Sequence, residues 1–206
     1  MEAEQQEKAT PGRKRDDAAH VAILKATHEL LWDVGFDKLS IVEVATRAGV
    51  GKATIYRWWP DKGALVMEAF LTRVAPTIAF PHTASALNDI RVQAHRLGRA
   101  YRGDAGRIVR TIIASGILDE KTMKLFFDKY LAPRRNAAKE VFRRAAAQGE
   151  IRQGLDLELV VDALYAPLFH RMTIMHAPID TRFVDFLLDS VLSFISTEKP
   201  GKQDSE

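Results

Sequence analysis

From Ile23 to Ile195 the apolar residues of this chain recur every three or four positions, and no stretch alternates convincingly. Only a helix gathers positions so spaced onto one face, so the chain is expected to be all-α. Ile23, Leu24, Thr27, Leu30, Leu31 and Val34 form one stripe, closed by Gly35. Leu87, Ile90, Ala94, Leu97 and Tyr101 form another behind a candidate N-cap at Ser85, and a further helix is expected over Ile108 to Leu118. Pro133 must kink or divide the long run from Lys121 to Gln148, because it lacks an N–H and clashes one turn back. Asp156 is placed to cap a helix carrying Leu157, Val161, Leu164, Leu168, Met172 and Met175, with Pro167 inside it. The last helix opens at Pro178-Ile179-Asp180 and is apolar over more than half its circumference, from Phe183 to Ile195. A helix buried on two sides at the end of a small domain needs a second surface, and subunit pairing supplies one.

At 206 residues with 47% hydrophobic and 28% charged, the chain has the composition of a folded globular protein. It has no cysteine, which excludes disulfides, thiolate metal sites and cysteine nucleophiles. The histidines His82, His170 and His176 lack metal-ligand spacing, and neither a phosphate-cradling glycine loop nor a Ser/His/Asp arrangement is recognisable. No enzyme, no metal and no cofactor is expected. Apolar runs are as short as Leu159-Val160-Val161, far below the ~20 residues of a membrane span, and the acidic N-terminal stretch is no signal peptide, so a cytoplasmic protein away from membranes is expected. Charge is unevenly placed: residues 91–152 hold 15 basic against 6 acidic side chains, and residues 153–206 hold 4 against 9. These blocks can attract each other or an anionic ligand, or simply be solvated helix faces.

Residues 39–62 are the informative stretch. Ser40-Ile41-Val42-Glu43 is a capping box, with the Ser40 hydroxyl on the Glu43 N–H and the Glu43 carboxylate returning to the Ser40 N–H. The helix it starts turns Ile41, Val44, Ala45 and Ala48 inward and ends at Gly49-Val50-Gly51, where Gly49 is free to take positive φ and Gly51 to cap the next helix. That second helix, Lys52 to Trp58, buries Ile55 and shows solvent Lys52, Ala53, Thr54, Tyr56 and Arg57, with Lys62 beyond and no acidic residue among them. Two short helices on a glycine turn are a helix-turn-helix. Small residues at its second helix allow close approach to a groove, arginine and lysine supply charge and base-edge donors, and Tyr56 is a phosphate donor. Spacing alone is also compatible with a helical hairpin that has a solvated basic rim.

Gly35-Phe36, Ser40 to Ala45, Ala48 to Tyr56 and Trp59-Pro60-Asp61-Lys62 together resemble the DNA-binding domain of the tetracycline-repressor (TetR) family, over roughly residues 23 to 71. Ala147 to Arg152, Ala166 to Phe169 and Ala177 to Asp180 resemble one C-terminal type of that family. The resemblance implies an all-α homodimer of about nine helices: a flexible arm over 1–16, a DNA-binding domain over 17–62, a regulatory and dimerisation domain over 63–197, and a flexible tail over 198–206. It implies a transcriptional regulator, most often a repressor, released from a palindromic double-stranded operator by a small molecule. Ser40, Thr54, Tyr56 and Lys62 become phosphate contacts, and Lys52, Ala53, Arg57 and Trp58 face base edges, with Val42 near the groove. Gly51 departs from the usual serine or threonine, and Gly63 from a usual acidic residue. The alternative is a helical protein-interaction module on the same scaffold, with no ligand response.

For a ligand pocket the chain offers His95, Phe126, Tyr130, Phe142, Tyr165, Phe169 and Met172, with Arg99 and His170 as further polar anchors. For the dimer interface it offers Leu164, Leu168, Phe183, Phe186, Leu187, Val191 and Phe194. A hinge is expected in the helix after Asp61, and Arg13, Lys14 and Arg15 could add an arm to the groove.

Overall fold

The computed structural model describes residues 11–117 and 119–197. Among them every regular element is helical: α1 (Pro11–Lys38), α2 (Ile41–Ala48), α3 (Lys52–Trp58), α4 (Lys62–Val74), a 3₁₀ turn (Ala75–Ile78), α5 (Ala86–Arg102), α6 (Asp104–Ile117), α7 (Glu120–Phe126), a π-helical turn (Phe127–Leu131), α8 (Ala132–Ala147), α9 (Leu157–Ile174) and α10 (Thr181–Ile195). Because α7, the π turn and α8 run on without a break, the described residues form nine rods, as the family resemblance implies. The chain divides into two compact units, one ending at Phe70 and the other beginning at Leu71, with α4 spanning the division.

In the first unit the described part of α1 runs from Pro11, so residues 11–16 of the expected arm are helical. Residues 1–10 and the expected tail over 198–206 lie outside the described residues. The α1 stripe is buried at Ile23, Thr27, Leu30 and Leu31 but ends earlier than expected: Val34 is exposed. Directly after it Gly35, at φ 80° and ψ 175°, breaks the helical rotation before Phe36 turns back into the core.

The second unit is arranged around α5, which packs against α6, α8, α9 and α10. Its Ser85 cap accepts the Asn88 N–H as expected. Two further orphan N–H groups of the α5 N-terminus, those of Ala86 and Leu87, donate to the side chains of Gln148 (3.1 Å) and Glu150 (3.0 Å) from the turn after α8. The expected start of the next helix at Ile108 is four residues late, because Asp104 already opens α6. Pro133 sits in the first turn of α8, directly behind the π turn. There the Ala132 N–H bonds Phe127 five residues back, so the wider ring takes up the disturbance that a proline makes in the preceding turn.

The basic block and the acidic end do meet. Arg135 of α8 pairs with Glu158 (2.5 Å) and Asp162 of α9, and Lys139 with Glu158. Arg91 and His95 of α5 lie 3.1 and 3.0 Å from Asp189 and Asp185 of α10. Exposed pairs of this kind contribute little each to stability, but they consume the charge that sequence alone leaves available.

Candidate nucleic-acid interface and ligand cavity

The helix-turn-helix forms because each of its boundaries is chemically specified. Ser40 takes the extended conformation of an N-cap and accepts the Glu43 N–H at 3.2 Å. The return half of the capping box differs from expectation: Glu43 Oε2 accepts from the Ser40 hydroxyl at 3.0 Å, not from the Ser40 N–H. That hydroxyl proton is therefore engaged within the motif. Gly49 ends α2 at φ 68°, and its N–H and that of Val50 close onto Thr46 and Ala45. Gly51 follows in an extended conformation without a side-chain cap.

Ile55 is completely buried, which pins one side of α3 and orients the other. Lys52, Ala53, Tyr56, Arg57 and Trp58 are exposed on that other side, Tyr56 by 53%, with Thr54 half-buried at its edge. Val42 is exposed on α2, 54%. Arg57 is not free: its guanidinium lies 2.6 Å from the Asp16 carboxylate of α1. Trp58 packs its ring 4.7 Å from His20 while staying partly exposed, and Trp59 is core, donating its indole N–H to Glu68 at 2.7 Å. Lys62 does more than its expected role requires. Its ammonium donates to the carbonyls of Phe36 (3.0 Å) and Asp37 (3.3 Å) and sits 4.7 Å over the Phe36 ring, closing the end of α1.

In the second unit a cavity of about 690 Å³ opens between α5, α8, α9 and the 3₁₀ turn. Ile78, Phe80, Leu97, Val141, Val161 and Phe169 give it mostly apolar walls. Two of the residues expected there, Tyr165 and Phe169, line it. His95, Phe126, Tyr130, Phe142 and Met172 do not. Phe126, Tyr130, Phe142 and Met172 are buried in the surrounding helix contacts, and His95 faces Asp185. Arg99 and His170 are likewise absent from its lining. Reasoning from periodicity missed Gln93, Tyr101 and Arg134. Tyr165 donates to Gln93 at 2.8 Å, and the Gln93 amide donates to the Ile78 carbonyl at 3.2 Å, so this polar pair is internally satisfied. Burial pushes the Tyr165 and Tyr101 phenols far above their ordinary range, so both are neutral hydrogen-bonding groups.

The residues expected at a dimer interface divide. Leu164, Leu168 and Leu187 are buried within the single chain, whose α9 and α10 pack on each other and on α5. Phe183 and Val191 are half-buried. Phe186 and Phe194 are exposed by 67% and 74%. Among the described residues no three or more His, Asp or Glu side chains form a metal-holding group, and no helix is long and apolar enough to cross a membrane.

An exposed helix-turn-helix face in one unit and a largely apolar cavity in the other are the features that define the class of helix-turn-helix protein to which this chain is compared. Residues 23–69 match the profile of bacterial regulatory proteins of the tetR family, and residues 80–191 that of the tetracyclin repressor-like C-terminal domain. The uncharacterized HTH-type transcriptional regulator YdeS of Bacillus subtilis is similar at 36% identity, over 84% of this chain and 87% of its own. The DNA-binding transcriptional repressor TetR of Mycobacteroides abscessus is 26% identical, over 86% of this chain and 94% of its own. The crystal structure of the TetR family transcription regulator SCO0332 superposes with a TM-score of 0.76 at 34% identity, covering 84% of this chain and 96% of that one. The chain belongs to the TetR family of helix-turn-helix transcriptional regulators.

Proposed function

We propose that the protein is a homodimeric repressor that holds a palindromic operator through α3 of each subunit and releases it when a small molecule fills the α5–α8–α9 cavity. The observation that carries the DNA half is the split of α3, with Ile55 fully buried and Lys52, Ala53, Tyr56 and Arg57 turned to solvent without an acid among them. In this reading Tyr56 and Thr54 hold phosphates, Lys52, Ala53 and Arg57 meet base edges, Val42 lies against the groove wall, and Trp58 supports Arg57 from the side. Ser40 serves mainly to start α2, and Lys62 mainly to close α1, each with its remaining polar capacity toward the backbone.

Dimerisation is supported by Phe186 and Phe194, two large aromatic side chains that α10 leaves exposed. Two copies place two recognition helices on one duplex, about 34–36 Å apart or a simple relation to that. A repressor role is supported by the similarity to the M. abscessus repressor. Release follows from linkage: a ligand lowers operator affinity only by preferring a conformation in which the two helices are wrongly spaced, with coupling of ~1–3 kcal/mol.

The test is selection of bound fragments from a random duplex library, followed by titration of the winning site. The expected result is an inverted repeat bound by a dimer, with log K falling by about 0.9 per phosphate contact for each log unit of salt. A protein that is monomeric at micromolar concentration and enriches no sequence at low salt would instead be the interaction module.

A further inference from the structure

We infer that the ligand of the α5–α8–α9 cavity is an apolar molecule carrying a single carboxylate, held by Arg134 with the Tyr101 hydroxyl beside it. This rests on the reading of that cavity as the sensory site and names the chemistry it selects. Four charged residues line the cavity: Arg134, Arg135, Glu140 and Asp162. Three of them are neutralised by protein partners. Arg135 pairs with Asp162 and Glu158, and Glu140 with Arg143. Arg134 has no carboxylate partner among the described residues, and its Nε is buried without an acceptor.

The stem and head of Arg134 are nonetheless held in place. The guanidinium lies 4.5 Å over the face of the buried Tyr130 ring, directly behind the π turn that sets the start of α8. Tyr130 and Tyr101 bring their hydroxyls within 3.5 Å of each other. Stacking spends the face of the guanidinium and leaves its edge donors for an in-plane acceptor. A buried donor left unpaired costs roughly 1–3 kcal/mol, and a planar oxyanion is the group that satisfies two guanidinium donors at once. With Tyr130 as the donor of that pair, the neutral Tyr101 phenol keeps its own proton for the ligand as a third donor. The other polar side chains of the lining, Tyr165 and Gln93, make no such demand, because with the Ile78 carbonyl they already satisfy one another. The walls are mostly apolar, so the remainder of the ligand is hydrocarbon, and a volume of about 690 Å³ is in the range of ~300–1,000 Å³ that holds a molecule of drug size. One charged end and one greasy body describe a medium-chain alkyl or an aryl carboxylic acid.

The experiment uses the full-length protein and matched pairs of probes: dodecanoate with dodecanamide, and 2-naphthoate with 2-naphthamide. Affinity is read by calorimetry, and operator release by fluorescence anisotropy on the selected site. The expected result is that at least one carboxylate binds about tenfold to hundredfold more tightly than its amide, the worth of a charge-assisted hydrogen bond. Arg134→Met, which keeps the apolar stem over Tyr130, is expected to erase that preference. Arg134→Lys is expected to retain part of it, and serves as the second variant should the first fold poorly. Equal binding of acid and amide, or an unchanged preference in Arg134→Met, overturns the carboxylate assignment while leaving the sensory role intact. Binding of neither acid overturns it as well. If, in addition, a metabolite extract fails to release the operator, the ligand-responsive reading falls separately.

Discussion

The carboxylate of Asp16 lies 2.6 Å from the guanidinium of Arg57, so an acid from α1 occupies the arginine that stands foremost on the outer side of α3. A duplex phosphate or a guanine edge competes for the same donors. Asp16→Asn removes the competitor and a negative charge from the approach path. Operator affinity is expected to rise by up to about fivefold, the range of an exposed ion pair, with no change in sequence preference. Anisotropy titrations at one fixed salt concentration check it, and weaker binding by the variant would show that Asp16 positions Arg57 for DNA.

Tyr56 and Arg57 are adjacent on α3 yet predict different phenotypes. Tyr56→Phe is expected to weaken binding to all duplexes alike, by about 0.5–1.5 kcal/mol, because it deletes one hydroxyl. Arg57→Ala is expected to relax preference at one or two base positions by about 1–3 kcal/mol each. Repeating the selection with each variant separates them. An unchanged consensus for Arg57→Ala would remove it from base reading.

Lys62 bridges the Phe36 and Asp37 carbonyls, which makes it a stability determinant of the first unit. Lys62→Ala is expected to cost about 1 kcal/mol in urea unfolding, discounted for its partial exposure. A variant of unchanged stability would mean that the two carbonyls are equally well served by water.

Asp89 is fully buried on α5. Burial pushes its carboxyl up, but the hydroxyl and N–H of Thr83 and the guanidinium of Arg144 outweigh that and hold it below the ordinary carboxylate range. A depressed folded-state value means that the stabilisation is complete above the unfolded value of about 3.9 and is lost as pH falls through the lower folded value. Asp89→Ala, which removes the carboxylate partner of Arg144 and leaves it His82, is expected to cost about 3 kcal/mol at neutral pH. The gap from the native protein should narrow toward pH 3. A pH-independent gap would assign the loss to packing.

Gly106 lies inside α6, where a Cβ would overlap the Tyr101 carbonyl at the end of α5. Gly106→Ala is expected to lower stability by about 1–3 kcal/mol, since backbone and not a flexible side chain must move. Gly103→Ala, where the nearest atom to an added Cβ is 3.7 Å away, is the tolerated control. Comparable losses at both would discount the α5–α6 approach.

The helix-turn-helix can be read from sequence because each of its instructions is local. Ser40, Gly49 and Ile55 act within one turn of themselves, and the structure shows the cap, the positive φ and the burial that their positions imply. The cavity is written at longer range. Period identifies Phe126, Phe142 and Met172 as inward-facing, but which gap between helices stays open depends on how α5, α8 and α9 cross. Alanines at 137 and 138 and the Ile78–Phe80 turn shape that gap, and none of them stands out in a linear pattern. The same limit explains Leu164, Leu168 and Leu187. An apolar helix face declares that it needs cover, not whether the cover comes from its own chain.

The π turn over Phe127–Leu131 has a geometric effect well beyond accommodating Pro133. Each residue of an ordinary α-helix advances the chain by about 100°, so a ring enlarged by one residue re-indexes every side chain that follows it. Winding the same five residues as ordinary α-helix would dial Ala132 to Ala147 round by about the same angle. Arg134 would swing off Tyr130, and Arg135 and Lys139 would lose Glu158 together. One supernumerary residue thus acts as the phase setting for the whole of α8.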